Sequence, residues 1–170
     1  MKSDALQPLA VILMGSRSDM EHAQAISQAL AKLGVTAELR IGSAHKTPAH
    51  TLQILEHYEA DPRPKVYITI AGRSNALSGF VDAQVSAPVI ACPPPSSSFG
   101  GADIYSSLRM PGGVAPAVVL EPANAALLAA KILALTDPDV RARVLTLQQE
   151  NRERILQDDA EIAPVSSESG

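Results

Sequence analysis

Apolar and polar positions fall in blocks along this chain. Residues 9–14, LAVILM, form a continuous apolar run that stops at Gly15. That is the pattern of a strand buried on both faces. Ala23, Ile26, Leu30 and Leu33 then recur at helical spacing, and Gly34 follows as a stop, which predicts a helix over 20–33. VTAELRIG (35–42) predicts a second strand with partial alternation. Pro48 suits the first turn of a helix. Leu52, Leu55 and Tyr58, with Glu56 and Glu59 between them, predict an amphipathic helix over 49–59. DPRP (61–64) is a turn, and KVYITIAG (65–72) predicts the third strand.

The second half is less regular. Residues 76–84 predict a short helix, and APVIACPPP (87–95) a short strand running into a stiff proline loop. Residues 96–113 are loop-rich, with a helix expected at 101–108. VAPAVVLEP (114–122) predicts a fifth strand. NAALLAAKILAL (124–135) predicts a strong Ala/Leu helix capped by Asn124, and 137–157 a second, charged helix. The closing residues, DAEIAPVSSESG, read as a disordered tail. The folded part is therefore placed over 1–160 as a single domain, and the tail over 161–170.

Strand, loop and helix in repetition mean βαβ units. The expected fold is α/β, a three-layer sandwich with a mostly parallel central sheet, flavodoxin- or Rossmann-like. In such sheets ligands bind beyond the carboxyl ends of the strands. Three polar loops fall at those ends: GSRSD (15–19), SAHKTP (43–48) and AGRSN (71–75).

Composition narrows the chemistry. The chain has 170 residues, 46% of them apolar but only 3% aromatic, so its core must be built from Ala, Val, Leu and Ile. A net charge of -4 gives no polycationic surface for nucleic acid. The single cysteine, Cys92, excludes an internal disulfide and a cysteine-rich zinc site, and fits a reducing compartment. It is read as a buried structural thiol. The N-terminus is not a signal peptide, and no apolar run approaches the roughly 18 residues of a membrane span. A cytoplasmic protein is expected.

Each loop has its own chemistry. In GSRSD, Gly15 permits close approach of a ligand to the backbone. Ser16 and Ser18 offer hydroxyls beside the free amides of the next helix, where a phosphate can settle. Asp19 can cap that helix or accept bonds from ribose hydroxyls. Ser and Asp are equally the common cap residues, so this loop reads either way. In SAHKTP, His45 can carry a proton near neutral pH, and Lys46 keeps a positive charge beside it. In AGRSN, Gly72 allows close approach, Arg73 can grip a carboxylate or phosphate, and Ser74 and Asn75 add hydroxyl and amide groups. His22, His50 and His57 fall within helical segments and are not expected to do chemistry. No histidine pair has metal-ligand spacing with a third ligand.

With the three loops in this order, the chain resembles the PurE family of purine biosynthesis. MGSRSD, SAHKTP, AGRSNALSGF, PVIACPPP, GGADIYSSLRMPGGVAPAVVL and NAALLAAKILAL carry the resemblance, over roughly residues 9–150. Class I members, the N-carboxyaminoimidazole ribonucleotide mutases, have a second histidine in the third loop and an arginine where this chain has Lys46. AGRSNALSG has no histidine. Both departures, with the CPPP segment (92–95), resemble class II, the phosphoribosylaminoimidazole carboxylases.

The resemblance implies a carboxy-lyase. Carbon dioxide adds reversibly to C4 of 5-aminoimidazole ribonucleotide to give 4-carboxy-5-aminoimidazole ribonucleotide. It implies His45 as general acid and base at C4, and Lys46 on the growing carboxylate or the phosphate. Gly15, Ser16, Ser18 and Asp19 would hold the phosphate and ribose. Ser43, Gly72, Arg73 and Ser74 would line the phosphate and carboxylate side. No metal, biotin or ATP is implied, and no nucleic-acid or membrane partner. The implied assembly is a homo-octamer, with 106–113 reaching a neighbour's site and the charged C-terminal helix packing on a neighbouring subunit. The other readings are the class I mutase and a non-catalytic nucleotide-binding module on the same fold.

Overall fold

The computed structural model describes residues 6–163. Five strands form one parallel sheet: β1 (Leu9–Met14), β2 (Thr36–Ile41), β3 (Lys65–Ile70), β4 (Val89–Ala91) and β5 (Ala117–Val118), in the order β2-β1-β3-β4-β5. Six helices accompany them: α1 (Met20–Lys32), α2 (Pro48–Glu59), α3 (Ala76–Asp82), α4 (Tyr105–Leu108), α5 (Pro122–Leu133) and α6 (Pro138–Ile162). The expected α/β sandwich is the architecture found, and every strand pair is parallel.

Alternation along the buried strands divides the core in two. Ala10, Ile12 and Met14 of β1, with Val66, Ile68 and Ile70 of β3, face α1 and α5. Leu9, Val11 and Leu13, with Tyr67, face α2 and α3. β1 is fully apolar because both of its faces are covered. On α5, Ala125, Ala126, Ala129 and Ala130 are fully buried, so small side chains let this helix lie close to the sheet and α1. Gly34 ends α1 as expected: its φ is 74°, and a Cβ there would lie 2.6 Å from Nε of Arg143.

Several boundaries differ from the sequence expectation. The fifth strand shrinks from 114–122 to Ala117–Val118. The helix expected at 124–135 begins two residues earlier, and Asn124 is not its cap. Glu121 is the extended cap residue, and Pro122 takes the first helical position, where its missing N–H costs nothing. The helix expected at 101–108 is a 3-10 segment over Ser98–Ile104, broken by left-handed Phe99, Gly100 and Gly101, and followed by the short α4. α6 runs past 157 to Ile162, into the region expected as tail. No helix breaker occurs before Pro164, and the residue ahead of a proline is pushed toward extended backbone, as Ala163 is. The rest of the expected tail, 164–170, lies outside the described residues. Val140 and Val144 anchor α6 on the core, whereas Gln149–Ala163 are all exposed.

A polar network ties the edge strand to the body. The Tyr58 hydroxyl donates to Glu38 at 2.8 Å, and Arg63 donates to Glu38 at 2.9 Å and to Asp61 at 2.6 Å. The Tyr58 bond, then the Arg63 bond, holds the Glu38 carboxyl below its usual range. Arg63 holds Asp61 down to about 2. Both carboxyls titrate lower folded than unfolded, so what they contribute is complete above about pH 4 and fades as pH falls below it. The urea midpoint is therefore expected to drop between about pH 5 and pH 2.5, and to drop less in Arg63→Met. An equal drop in the variant contradicts this assignment.

Candidate active site

A cleft of about 580 Å³ opens beyond the carboxyl ends of β1, β2, β3 and β4. It brings together Gly15, Ser16, Ser18, Asp19, Ser43, His45, Lys46, Gly72, Arg73 and Ser74 from the three loops singled out in the sequence. The ends of β1 and its neighbours set the loops side by side. The Gly15 N–H donates to the Ile70 carbonyl and the Gly42 N–H to the Met14 carbonyl, both at 2.9 Å.

The first loop folds around Asp19. One carboxylate oxygen accepts the Ser16 N–H at 3.2 Å and its hydroxyl at 3.3 Å. The Ser16 and Ser18 hydroxyls lie 2.6 Å apart. Asp19 thus braces the loop, and both serine hydroxyls stay on the cleft wall. Neither Gly15 nor Gly72 has a left-handed φ, and a Cβ at either would meet nothing closer than 3.6 Å. The fold itself does not require glycine there.

The second loop braces itself. The Ser43 N–H donates to Oγ1 of Thr47 at 3.0 Å, the Lys46 N–H to Oγ of Ser43 at 3.2 Å, and the Thr47 N–H to the Ser43 carbonyl at 2.9 Å. Pro48 then opens α2 at its first turn. The turn is fixed by its backbone and small side chains, which frees His45 and Lys46. Both are exposed, and among the described residues neither side chain has a hydrogen-bond or ion-pair partner.

In the third loop Arg73 lies on the cleft wall with a left-handed φ of 61°. Asn75 does not join it. Its side chain is 3% exposed, accepts the Ser78 N–H at 3.2 Å as the cap of α3, and donates to Ser107 at 2.9 Å. The polar pattern of AGRSN could not separate these two jobs.

The fourth wall went unread in the sequence. Pro94, Pro95, Ser96, Ser97 and Ser98 follow β4 and line the cleft with Asp103. The strand-end rule applied to β4 marks the proline-serine stretch, whereas nothing local marks Asp103. A second cavity of about 330 Å³ lies behind this wall, between Pro93–Ser96, Ile104, Leu120 and Glu121.

The remaining histidines and the thiol stand outside the cleft lining. His50 and His57 are exposed on α2. Nε2 of His22 is 3.3 Å from Sγ of Cys92, and the thiol reaches the Leu120 carbonyl at 3.6 Å. Burial pushes the Cys92 thiol up to about 12, with the Glu121 charge adding to it, and burial pushes His22 down. Cys92 is thus expected to resist iodoacetamide at pH 8 in the native protein and to react once the chain is unfolded. Rapid labelling of the native protein contradicts a closed thiol. Among the described residues no cluster of His, Cys, Asp or Glu is placed to hold a metal ion, and no helix is long and apolar enough to cross a membrane.

Comparison with known proteins sets this geometry in context. The AIR carboxylase family model matches residues 9–154. The phosphoribosylaminoimidazole carboxylase of Treponema denticola is 57% identical over 157 residues, covering 92% of this chain and 99% of that protein. The phosphoribosylaminoimidazole carboxylase of Archaeoglobus fulgidus is 55% identical over 153 residues, covering 90% and 84%. The crystal structure of Treponema denticola PurE superposes with a TM-score of 0.91 at 57% identity, covering 93% of this chain and 100% of that one.

Proposed function

The chain belongs to the AIR carboxylase family, a carboxy-lyase family of purine biosynthesis, and we propose that it is a class II member that adds carbon dioxide itself to 5-aminoimidazole ribonucleotide. One observation carries this reading. Among the described residues His45 is the one histidine lining the cleft, which Lys46 and Arg73 also line, and the third loop supplies none. The class I mutases have a histidine there.

The chemistry follows from the substrate. The aminoimidazole is an enamine, so C4 is already nucleophilic and attacks the carbon of carbon dioxide without covalent help. C4 then carries both its hydrogen and the new carboxylate. His45 removes that proton, and the C–H electrons restore the aromatic ring. In reverse, His45 protonates C4 and carbon dioxide leaves. Carbon dioxide offers little charge to grip, so the cleft acts chiefly by holding it near C4. Two cations, Lys46 and Arg73, face an anionic nucleotide and a developing carboxylate. Lys46 serves the new carboxylate or the phosphate.

The remaining contacts take the ends of the nucleotide. Ser16 and Ser18, in the turn just ahead of α1, hold the phosphate with the Gly15 backbone close by. Asp19 engages Ser16 through Oδ2, which leaves Oδ1 for a ribose hydroxyl. Ser43, Gly72 and Ser74, with Arg73, line the cleft on the phosphate and carboxylate side of the ligand in this reading. A volume of about 580 Å³ suits a ligand of this size. The reaction calls for no metal, biotin or ATP, and a cytoplasmic location goes with it. A homo-octamer is the proposed assembly. Exposed Tyr105 beside 106–113 and Leu108 within it, and exposed Ile155, Leu156 and Ile162 on α6, support contacts with neighbouring copies.

The carbon source provides the test. Initial rates with 5-aminoimidazole ribonucleotide are measured from dissolved carbon dioxide and from bicarbonate, before the two equilibrate. A faster start from carbon dioxide is expected, and added carbonic anhydrase erases the difference. A faster start from bicarbonate, or a requirement for ATP, contradicts the proposal.

A further inference from the structure

Arg73 lies in the left-handed region at φ 61°, a conformation disfavoured for any residue that carries a Cβ. Glycine would adopt it freely, yet the chain places an arginine there. Something outside the loop has to hold it. The Arg73 N–H donates to Oδ2 of Asp103 at 3.1 Å, thirty residues further along the chain. The hydroxyl of Ser106 lies 3.1 Å from the Arg73 carbonyl and 2.8 Å from the Asp103 carbonyl, and accepts the Asn75 N–H at 2.9 Å. Both backbone polar groups of Arg73 are thus engaged by residues 103–106, while its guanidinium makes no ion pair among the described residues.

Asp103 itself lines the cleft. A carboxylate on the wall of a cavity meant for a phosphate and a carboxylate repels them, so its presence there calls for another task. We propose that Asp103 is a positioning residue: by accepting the Arg73 N–H, it holds that residue in the left-handed turn that sets the guanidinium on the cleft wall. The proposal rests on the reading of Arg73 as an anion-binding group. Asp103 acts through Arg73 and does not touch the nucleotide. Because the bond needs only an acceptor oxygen, an asparagine at 103 can still make it and removes the repulsive charge.

The test is a double-mutant cycle read by calorimetry with 4-carboxy-5-aminoimidazole ribonucleotide, a ligand whose binding does not depend on which class of reaction is catalysed. Asp103→Ala is expected to weaken binding about tenfold in the native background. In an Arg73→Ala background it is expected to add less than about twofold, because there is no longer a guanidinium to position. Asp103→Asn is expected to recover most of the loss. Should Asp103→Ala not fold, Asp103→Ser, whose side chain is too short for the bond, takes its place in the cycle. Equal losses in both backgrounds, or an Asp103→Asn as weak as Asp103→Ala, would mean that Asp103 touches the ligand itself and would overturn the proposal. Unchanged binding in Asp103→Ala would overturn it too. If Arg73→Ala alone binds as tightly as the native protein, the anion reading of Arg73 fails, and the positioning role with it.

Discussion

His45→Asn is expected to lower turnover in both directions by about 10²- to 10⁴-fold, the usual range for a lost general acid and base. The carboxamide keeps a similar size and polarity but cannot take the C4 proton. The fold is expected to survive. His45 is exposed, its side chain has no hydrogen-bond partner among the described residues, and the turn that carries it is braced by Ser43 and Thr47 instead. Its unfolding midpoint in urea and its assembly should therefore match the native protein, since exposed substitutions without partners cost about 0.5 kcal/mol or less. Steady-state rates of carboxylation and decarboxylation provide the check. Near-normal turnover in a correctly folded variant ends the acid/base assignment.

Asn75→Ala is expected to have the larger effect on stability, a loss of about 2 to 3 kcal/mol. The substitution removes the cap that accepts the Ser78 N–H, and it leaves the Ser107 hydroxyl, 2% exposed, without the Asn75 amide. Asn75→Asp keeps the accepting oxygen but not the donor, and should fall between the two. Denaturant titration separates these outcomes. A variant within about 0.5 kcal/mol of the native protein would mean that the bond between this loop and Ser107 is idle.

The reach of sequence reading here depends on the range of the interactions involved. GSRSD, SAHKTP and AGRSN were legible because each comes after a strand or a strand-like run, and the parallel-sheet rule then puts their polar groups at one end of the molecule. Local chemistry also marked Pro48 and Gly34, whose roles depend on their own backbone. The cap bond from Ser78 to Asn75 spans only three residues and was locally available, but the bond from Asn75 to Ser107 spans 32, and nothing nearby says that the side chain turns inward. Asp103 was missed for the same reason: its bond to Arg73 spans 30 residues and comes from a segment whose left-handed Phe99 and glycines obey no regular pattern. Asn124 looked like a cap because it precedes an alanine-rich run, but Pro122 is better suited to the first helical position.

The class of the reaction rests on which nucleotide the cleft consumes. The most direct measurement gives the purified protein 5-aminoimidazole ribonucleotide with carbon dioxide, and separately the N-carboxy isomer, without ATP, and compares kcat/KM for formation of 4-carboxy-5-aminoimidazole ribonucleotide. Efficient turnover of the first, with the N-carboxy isomer used only as fast as it breaks down to it, is the result predicted from a cleft with His45 and no second histidine. Turnover of the N-carboxy isomer alone would contradict that account and place the chain among the mutases.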